Sequence, residues 1–356
     1  MKLGDKNPFS FQVDYNQRLF SLAEREEKSE QTLSRPSSSF FRDGMRRFKK
    51  NRVALVCAII ILALILIIIV VPFIYPYSYD QMLGVHPTYT DESYFYLKPF
   101  EYGADELRRI QNGEFIWPHI FGTDAHGRDY FIRVICGTRI SLLVGVFAAI
   151  VVLIIGTIYG SIAGIRGGKA DLIMMRIVDV IYSLPDMIII ILLSVILNEA
   201  LATASSSGLV GMLGTNLLSI FIVFALLYWV GMARLVRGQI LTLKQQEFIL
   251  ASRSMGASNA FIIRKHLIPN CVSVIVVSAA LQIPSAIFTE SYLSFLGLGV
   301  AKPMPSLGSL ANEGRDGLMY GKPWLMLIPA LFICVIVLAL NLIGDGLRDA
   351  FDPKQK

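Results

Sequence analysis

Apolar residues fall in long blocks separated by polar stretches, and the blocks set the elements. From Val53 to Val71 every position is apolar. A helix of that length crosses the ~30 Å hydrocarbon layer of a bilayer. The run is too long for the apolar core of a signal peptide, and residues 1–52 precede it, so an uncleaved first span over 53–73 is expected. Further blocks near 139–165, 173–197, 209–231, 272–290 and 324–344 predict five more helices. The blocks at 139–165 and 272–290 contain Gly, Ser or Pro, which neighbouring helices accommodate. Pro185 with Asp186 interrupts the middle of the third block. The expected fold is an all-α integral membrane protein with six transmembrane helices.

The polar stretches set the orientation, because Lys and Arg collect at the cytoplasmic ends of spans. Arg42, Arg46, Arg47, Lys49, Lys50 and Arg52 flank the first span, and Arg166, Lys169 and Arg176 lie between the second and third. Arg234, Arg237, Lys244, Arg253, Arg264 and Lys265 lie between the fourth and fifth. These segments, and both termini, are expected inside. The 198–208 loop has no Lys or Arg, and 74–138 carries Asp91, Glu92, Glu101, Asp105, Glu106 and Glu114, with more acids than bases. Both are expected outside, 74–138 as one long extracytoplasmic loop.

Composition agrees with a membrane protein. The chain is 54% hydrophobic and 17% charged with mean hydropathy +0.56, against about 25% charged for a soluble domain. The net charge of +6 is taken up by the inside bias, which leaves no basic patch for nucleic acid. Cys57, Cys136, Cys271 and Cys334 are far apart and form no CxxC or Cys/His cluster, so they read as apolar packing residues.

Residues 1–38 are polar, with a Ser/Pro stretch at Ser34–Ser39, and read as a cytoplasmic tail. Phe41, Met45 and Phe48 recur at i, i+4 and i+7 among basic residues, which predicts an amphipathic helix over 39–52 lying against lipid headgroups. Tyr75, Tyr77, Tyr79, Tyr89, Tyr94, Phe95, Tyr96 and Tyr102 favour order in the 74–138 loop. The remaining 139–356 forms a five-helix core with a basic loop at 233–270.

Within that loop, Ile249, Ser252 and Gly256 repeat at helical spacing, as do Phe261, Ile262 and Lys265, and Pro269 closes the run. The pattern predicts two short helices hinged at Gly256-Ala257-Ser258, a bracket suited to a groove on a soluble partner. A hairpin that merely joins two spans fits the pattern equally well.

The residues resemble the coupling loop of ABC-importer permeases, whose motif ends in Gly and, thirteen residues on, Pro; Gly256 and Pro269 have that spacing. Glu247, Phe248, Ile249, Ala251, Ser252, Arg253, Gly256, Ile263, His266, Pro269 and Asn270 fit the oligopeptide/dipeptide branch. Leu250 and Ser252 depart from the general motif, which argues against a sugar or phosphate branch. Three more segments are similar to that branch: Phe121-Gly122-Thr123-Asp124 with Gly127-Arg128-Asp129, Glu290 to Gly299 with Pro303 and Pro305, and Asn341 to Asp349 with Asp352-Pro353. The resemblance covers residue 40 to the end and points to the C-type subunit.

It implies a type I importer permease fold in the cytoplasmic membrane of a prokaryote. The implied partners are a homologous permease chain forming a heterodimer, two cytoplasmic ATPases that carry ATP and Mg, and an extracytoplasmic peptide-binding protein. The ATPase-coupling residues would be Glu247, Phe248, Ala251, Ser252, Arg253, Gly256, Ala257, His266 and Pro269. Permeases of this kind also handle nickel chelates and other small cargo.

No catalytic or cofactor motif stands out. Gly167-Gly168-Lys169 imitates a phosphate loop, but Ala163 and Ala170 stand where Gly and the hydroxyl are needed, so ATP must be held elsewhere. His86, His119, His126 and His266 read as loop surface. Arg176 and Asp179, at i and i+3, have the spacing of an ion pair. Gln282, Ser285 and Thr289 lie on one face beside Pro284 and Glu290. Polar residues in a span are costly, so these four polar residues are expected to line a translocation path, with helix–helix hydrogen bonding as the alternative. An ion-coupled secondary transporter would show inverted repeats and mid-span carboxylates; no repeat is evident and such acids are few.

Overall fold

The computed structural model describes residues 40–85, 91–202, 214–300 and 303–351. The 1–38 tail, His86, Tyr89, Ser206 of the 198–208 loop and Asp352-Pro353 lie outside the described residues. From Gly44 onward the chain forms one compact unit.

A short amphipathic helix, α1 (Phe40–Phe48), precedes the first long one, α2 (Arg52–Ile74). The amphipathic element stops short of residue 52 because the Asn51 side chain caps α2, accepting from the Ala54 amide at 3.2 Å. Phe48 is buried beside Ala54 and Ala350, whereas Met45 stays 48% exposed. Ile59, Leu62, Leu66 and Phe73 on α2 are also exposed, the pattern of a helix with one face on lipid.

Among the described residues of 75–129 lie a short 3-10 turn at Glu92–Tyr94 and one α-helix, α3 (Ala104–Gln111). Next comes α4 (Tyr130–Arg166), with a wide π-type turn at Val152–Gly156. It begins well before residue 139 because Asp129 caps it, accepting from the Ile132 amide at 3.0 Å. Its first turns carry Arg133, Thr138 and Arg139, which hide the helix from an apolar pattern.

The third block is two helices, α5 (Gly168–Tyr182) and α6 (Asp186–Ala202), bent 85° at the break. Pro185 lacks an amide hydrogen and cannot continue α5. α7 (Thr215–Leu243) and α9 (Asn259–Phe295) both run past the predicted ends of their spans, so the loop at 233–270 shrinks to α8 (Glu247–Ser254) and its flanks. Pro269 does not close a helix. α9 passes through it by widening to a π-type turn at Ile263–Leu267, which takes up the clash the ring would make one turn back. α10 (Leu307–Met319), unforeseen in the sequence, is capped by Ser306 and precedes α11 (Trp324–Phe351). Five described helices are long and apolar enough to span a membrane, six if the bent pair counts as one span.

α9 packs between α4 and α11, and the second half of α4 lies along the second half of α7. Gly156, Gly160 and Gly164 make that approach possible. A Cβ on Gly160 would stand 2.4 Å from the Ala233 carbonyl oxygen, so small residues at every fourth position let the backbones touch.

Candidate functional site

The bracket at 247–270 is built from local signals. Glu247 occupies the first turn of α8, where a carboxylate is favoured by the helix dipole. At the other end the Gly256 amide donates to the Arg253 carbonyl at 2.9 Å, and the Ala257 amide to the Ser252 carbonyl at 3.1 Å. This bond pair closes a helix on a left-handed residue, and Gly256 supplies it with φ +83°. Ser258 then caps α9, accepting from the Phe261 amide at 3.3 Å.

The two limbs are held by a buried apolar seam and one polar clip. Ile249, Ile262 and Leu267 are fully buried together with Ile240. Ser252 Oγ and His266 Nε2 lie 3.2 Å apart across the bracket. The outer face carries Phe248, Leu250, Met255 and Phe261, each 43–81% exposed, beside exposed Ala251, Arg253 and Gly256. Pro269 is exposed on the continuing helix, and Ala257 is half-buried in the seam. Large apolar side chains held outward by a rigid seam form a contact surface.

A second feature lies where the bent span meets α7 and α9. A cavity of about 320 Å³ is lined by Tyr182, Asp186, Tyr228, Gln282, Ser285 and Thr289 among apolar residues. The Tyr228 hydroxyl donates to Thr289 Oγ1 at 2.7 Å. The chain thus brings Gln282, Ser285 and Thr289 to one wall.

Glu290 does not join them. It is fully buried on a different face of α9 and accepts from Ser294 Oγ at 2.7 Å and from Ser141 Oγ of α4 at 2.8 Å. Ser306 Oγ, which caps α10, donates to Ser294 Oγ at 3.1 Å. One residue further along a helix is a turn of 100°, enough to take Glu290 off the cavity wall and into the α4–α9–α10 contact. Arg176 and Asp179 do not pair either. The Asp179 carboxylate accepts from Arg234 of α7 at 2.7 Å, a partner that packing supplies across helices.

The 75–129 segment holds polar clusters that sequence reasoning missed. His119, expected at the surface, is fully buried, with Nδ1 2.7 Å from Asp129 Oδ2 and Nε2 3.1 Å from Glu106 Oε2. Burial opposes the charged ring, but the hydrogen bonds and charges of Asp129 and Glu106 outweigh it and raise its pKa to about 9. The Tyr75 hydroxyl also donates to Asp129, at 3.1 Å, and burial and that carboxylate push its pKa up. Beside it, Asp124 accepts from Arg128 Nε at 2.7 Å and also from Arg133, which donates to Glu313 of α10 at 2.8 Å. The FGTDxxGRD segment is therefore a buried structural cap on α4.

Comparison with known proteins agrees with this architecture. Residues 156–356 match the family described as the binding-protein-dependent transport system inner membrane component. Residues 39–99 match the N-terminal TM domain of oligopeptide transport permease C. The dipeptide transport system permease protein DppC of Bacillus subtilis is 41% identical, covering 94% of this chain and 92% of that protein. The oligopeptide transport system permease protein OppC of the same organism is 39% identical over 94% and 97%. OppC of Escherichia coli is 39% identical over 89% and 92%. Such likeness runs nearly end to end and includes both the bundle and its first span, so this chain belongs to the binding-protein-dependent transport system inner membrane component family, among the C-type permeases of peptide transport.

Proposed function

We propose that this chain is one half of the membrane pore of an ATP-driven importer that moves peptides across the cytoplasmic membrane. A homologous permease chain forms the other half, and an extracytoplasmic binding protein delivers the cargo. Two cytoplasmic ATPases grip the brackets of the pair and supply the energy. Both termini and the bracket face the cytoplasm, and residues 75–129 face outward.

The observation that carries the reading is the pairing, in one bundle, of a rigid bracket presenting Phe248, Leu250, Met255 and Phe261 with a cavity walled by Gln282, Ser285 and Thr289. The bracket gives a soluble engine a handle on α7 and α9, the helices that wall the cavity. Hydroxyl and amide groups offer a peptide backbone donors and acceptors with little side-chain preference. ATP drives the cycle only by binding one arrangement of the complex better than another. The relatives named above are peptide permeases, which supports the cargo.

The test is uptake of a labelled peptide into proteoliposomes holding both permeases, both ATPases and the binding protein. Uptake should stop when the ATPases are hydrolysis-dead and continue when the proton gradient is collapsed. Uptake that survives dead ATPases and follows the proton gradient would remove the ATP-driven reading.

A further inference from the structure

Three carboxylates on the membrane helices near the bent span are held within the chain. Asp171 is bidentate to Arg237, at 2.5 and 2.6 Å. Asp179 holds Arg234, whose guanidinium lies over the Tyr182 ring at 4.1 Å. Glu290 is surrounded by serine hydroxyls. Asp186 has no hydrogen-bonding or ion-pair partner among the described residues. It lines the cavity formed by α5, α6, α7 and α9, and it is the one charged side chain among the described residues that line it.

An unpaired carboxylate in a cavity between membrane helices calls for a cation. The α6 N-terminus contributes roughly +0.5 of a charge there, which the full negative charge of Asp186 exceeds, so the cavity is net negative. Its neutral polar groups, Gln282, Ser285, Thr289 and the Tyr228 hydroxyl, line the same cavity. Its volume of about 320 Å³ falls in the range of small-ligand pockets. A site with one anion and several uncharged donors and acceptors fits the amino end of a peptide, which carries an ammonium group beside backbone amides.

We propose that Asp186 is the counter-charge for the free N-terminal ammonium of the cargo, so that the cavity prefers peptides with an unblocked amino end. The inference rests on the peptide reading of the cargo. Asp186 takes the ammonium while the serine, threonine and glutamine groups follow the first peptide bonds. The partner permease closes the open side of the site.

Saturation-transfer NMR tests this with trialanine and N-acetyl-trialanine on the complete complex in nanodiscs, without binding protein. The wild-type complex should bind trialanine about three- to fivefold tighter, the effect of one partly solvated ion pair. Asp186→Asn should equalise the two peptides and Asp186→Glu should keep the preference. Asp186→Ser repeats the comparison should the Asn complex fail to assemble. Equal binding in the wild type, no binding of trialanine, or a preference that persists in Asp186→Asn would overturn the inference. ATP-dependent uptake of trialanine through the binding protein tests the peptide reading separately. Import without an amino-end preference at the permease overturns Asp186's role alone.

Discussion

Gly256 is needed for its backbone and not for its size. Its φ of +83° lies in the left-handed region, yet no atom stands within 4 Å of where a Cβ would be. A β-branched residue there must abandon the conformation, at roughly 1–2 kcal/mol, whereas Asn tolerates it. Gly256→Val should therefore swing the 258–262 limb away from α8. ATP-driven uptake should fall at least ~10-fold while membrane insertion and basal hydrolysis persist. Gly256→Asn should keep most uptake. Equal loss in both variants, measured in the same proteoliposomes, would show that the backbone is not the reason for glycine. The Gly signal was legible in the sequence, but His119 was not. A lone His in a polar loop reads as surface, and its partners Glu106 and Asp129 follow no periodic spacing. His119 has its pKa raised from an ordinary 6.5 to about 9. Its contribution is then complete below pH 6.5 and lost as pH rises through 9. That loss should be on the order of 3 kcal/mol. The melting temperature of the complex should drop between pH 7.5 and 10, and His119→Gln should flatten this part of the profile.

At the scale of elements, apolar blocks located the spans but misplaced their ends, and each miss has a local cause. The first turns of α4 are polar because Arg133 answers Asp124 and Glu313, contacts made only after folding. α9 continues through Pro269 because a π-type turn absorbs the ring, which no residue pattern announces. α10 is short and carries Asn312, Glu313, Arg315 and Asp316, so its buried Leu307, Leu310 and Ala311 do not form a membrane-length block. Glu290 shows the same limit one residue at a time: helical phase separates it from Thr289, and only packing reveals which face is the cavity. Glu290→Leu would leave Ser141 and Ser294 hydroxyls buried without their acceptor, about 1–3 kcal/mol each. The variant should lower the melting temperature of the complex by several degrees, with uptake per assembled complex close to wild type, and Glu290→Gln should recover most of the stability. A sharp loss of uptake in a fully stable Glu290→Leu complex would return this residue to the pathway.

Across the whole molecule, charge and packing point to one orientation. The end of α1 and the start of α2 meet the end of α11 through Phe48, Ala54 and Ala350. At the opposite end the start of α4 meets the start of α11, where Tyr130 and Leu325 pack together. Lys244 donates to the Gly164 carbonyl at 3.0 Å, joining the ends of α4 and α7 beside the bracket. Leu235, Ser273 and Arg348 border one cavity, which sets the end of α11 beside α7 and the start of α9. Arg52, Arg166, Lys244, Arg253, Arg264, Lys265 and Arg348 are thereby gathered at one end of the bundle. Glu92, Glu101, Asp105, Glu106 and Glu114 belong to the segment at the other. Lys and Arg are retained on the cytoplasmic side during insertion, so the bracket end should be inside. With Cys57, Cys136, Cys271 and Cys334 replaced by Ser, Glu114→Cys and Ser258→Cys each place one thiol at an exposed position. An impermeant maleimide on intact cells should label the Glu114→Cys chain at once, and the Ser258→Cys chain only after the membrane is permeabilised. Labelling of the Ser258→Cys chain in intact cells would invert the topology and leave the bracket on the wrong side for any ATPase.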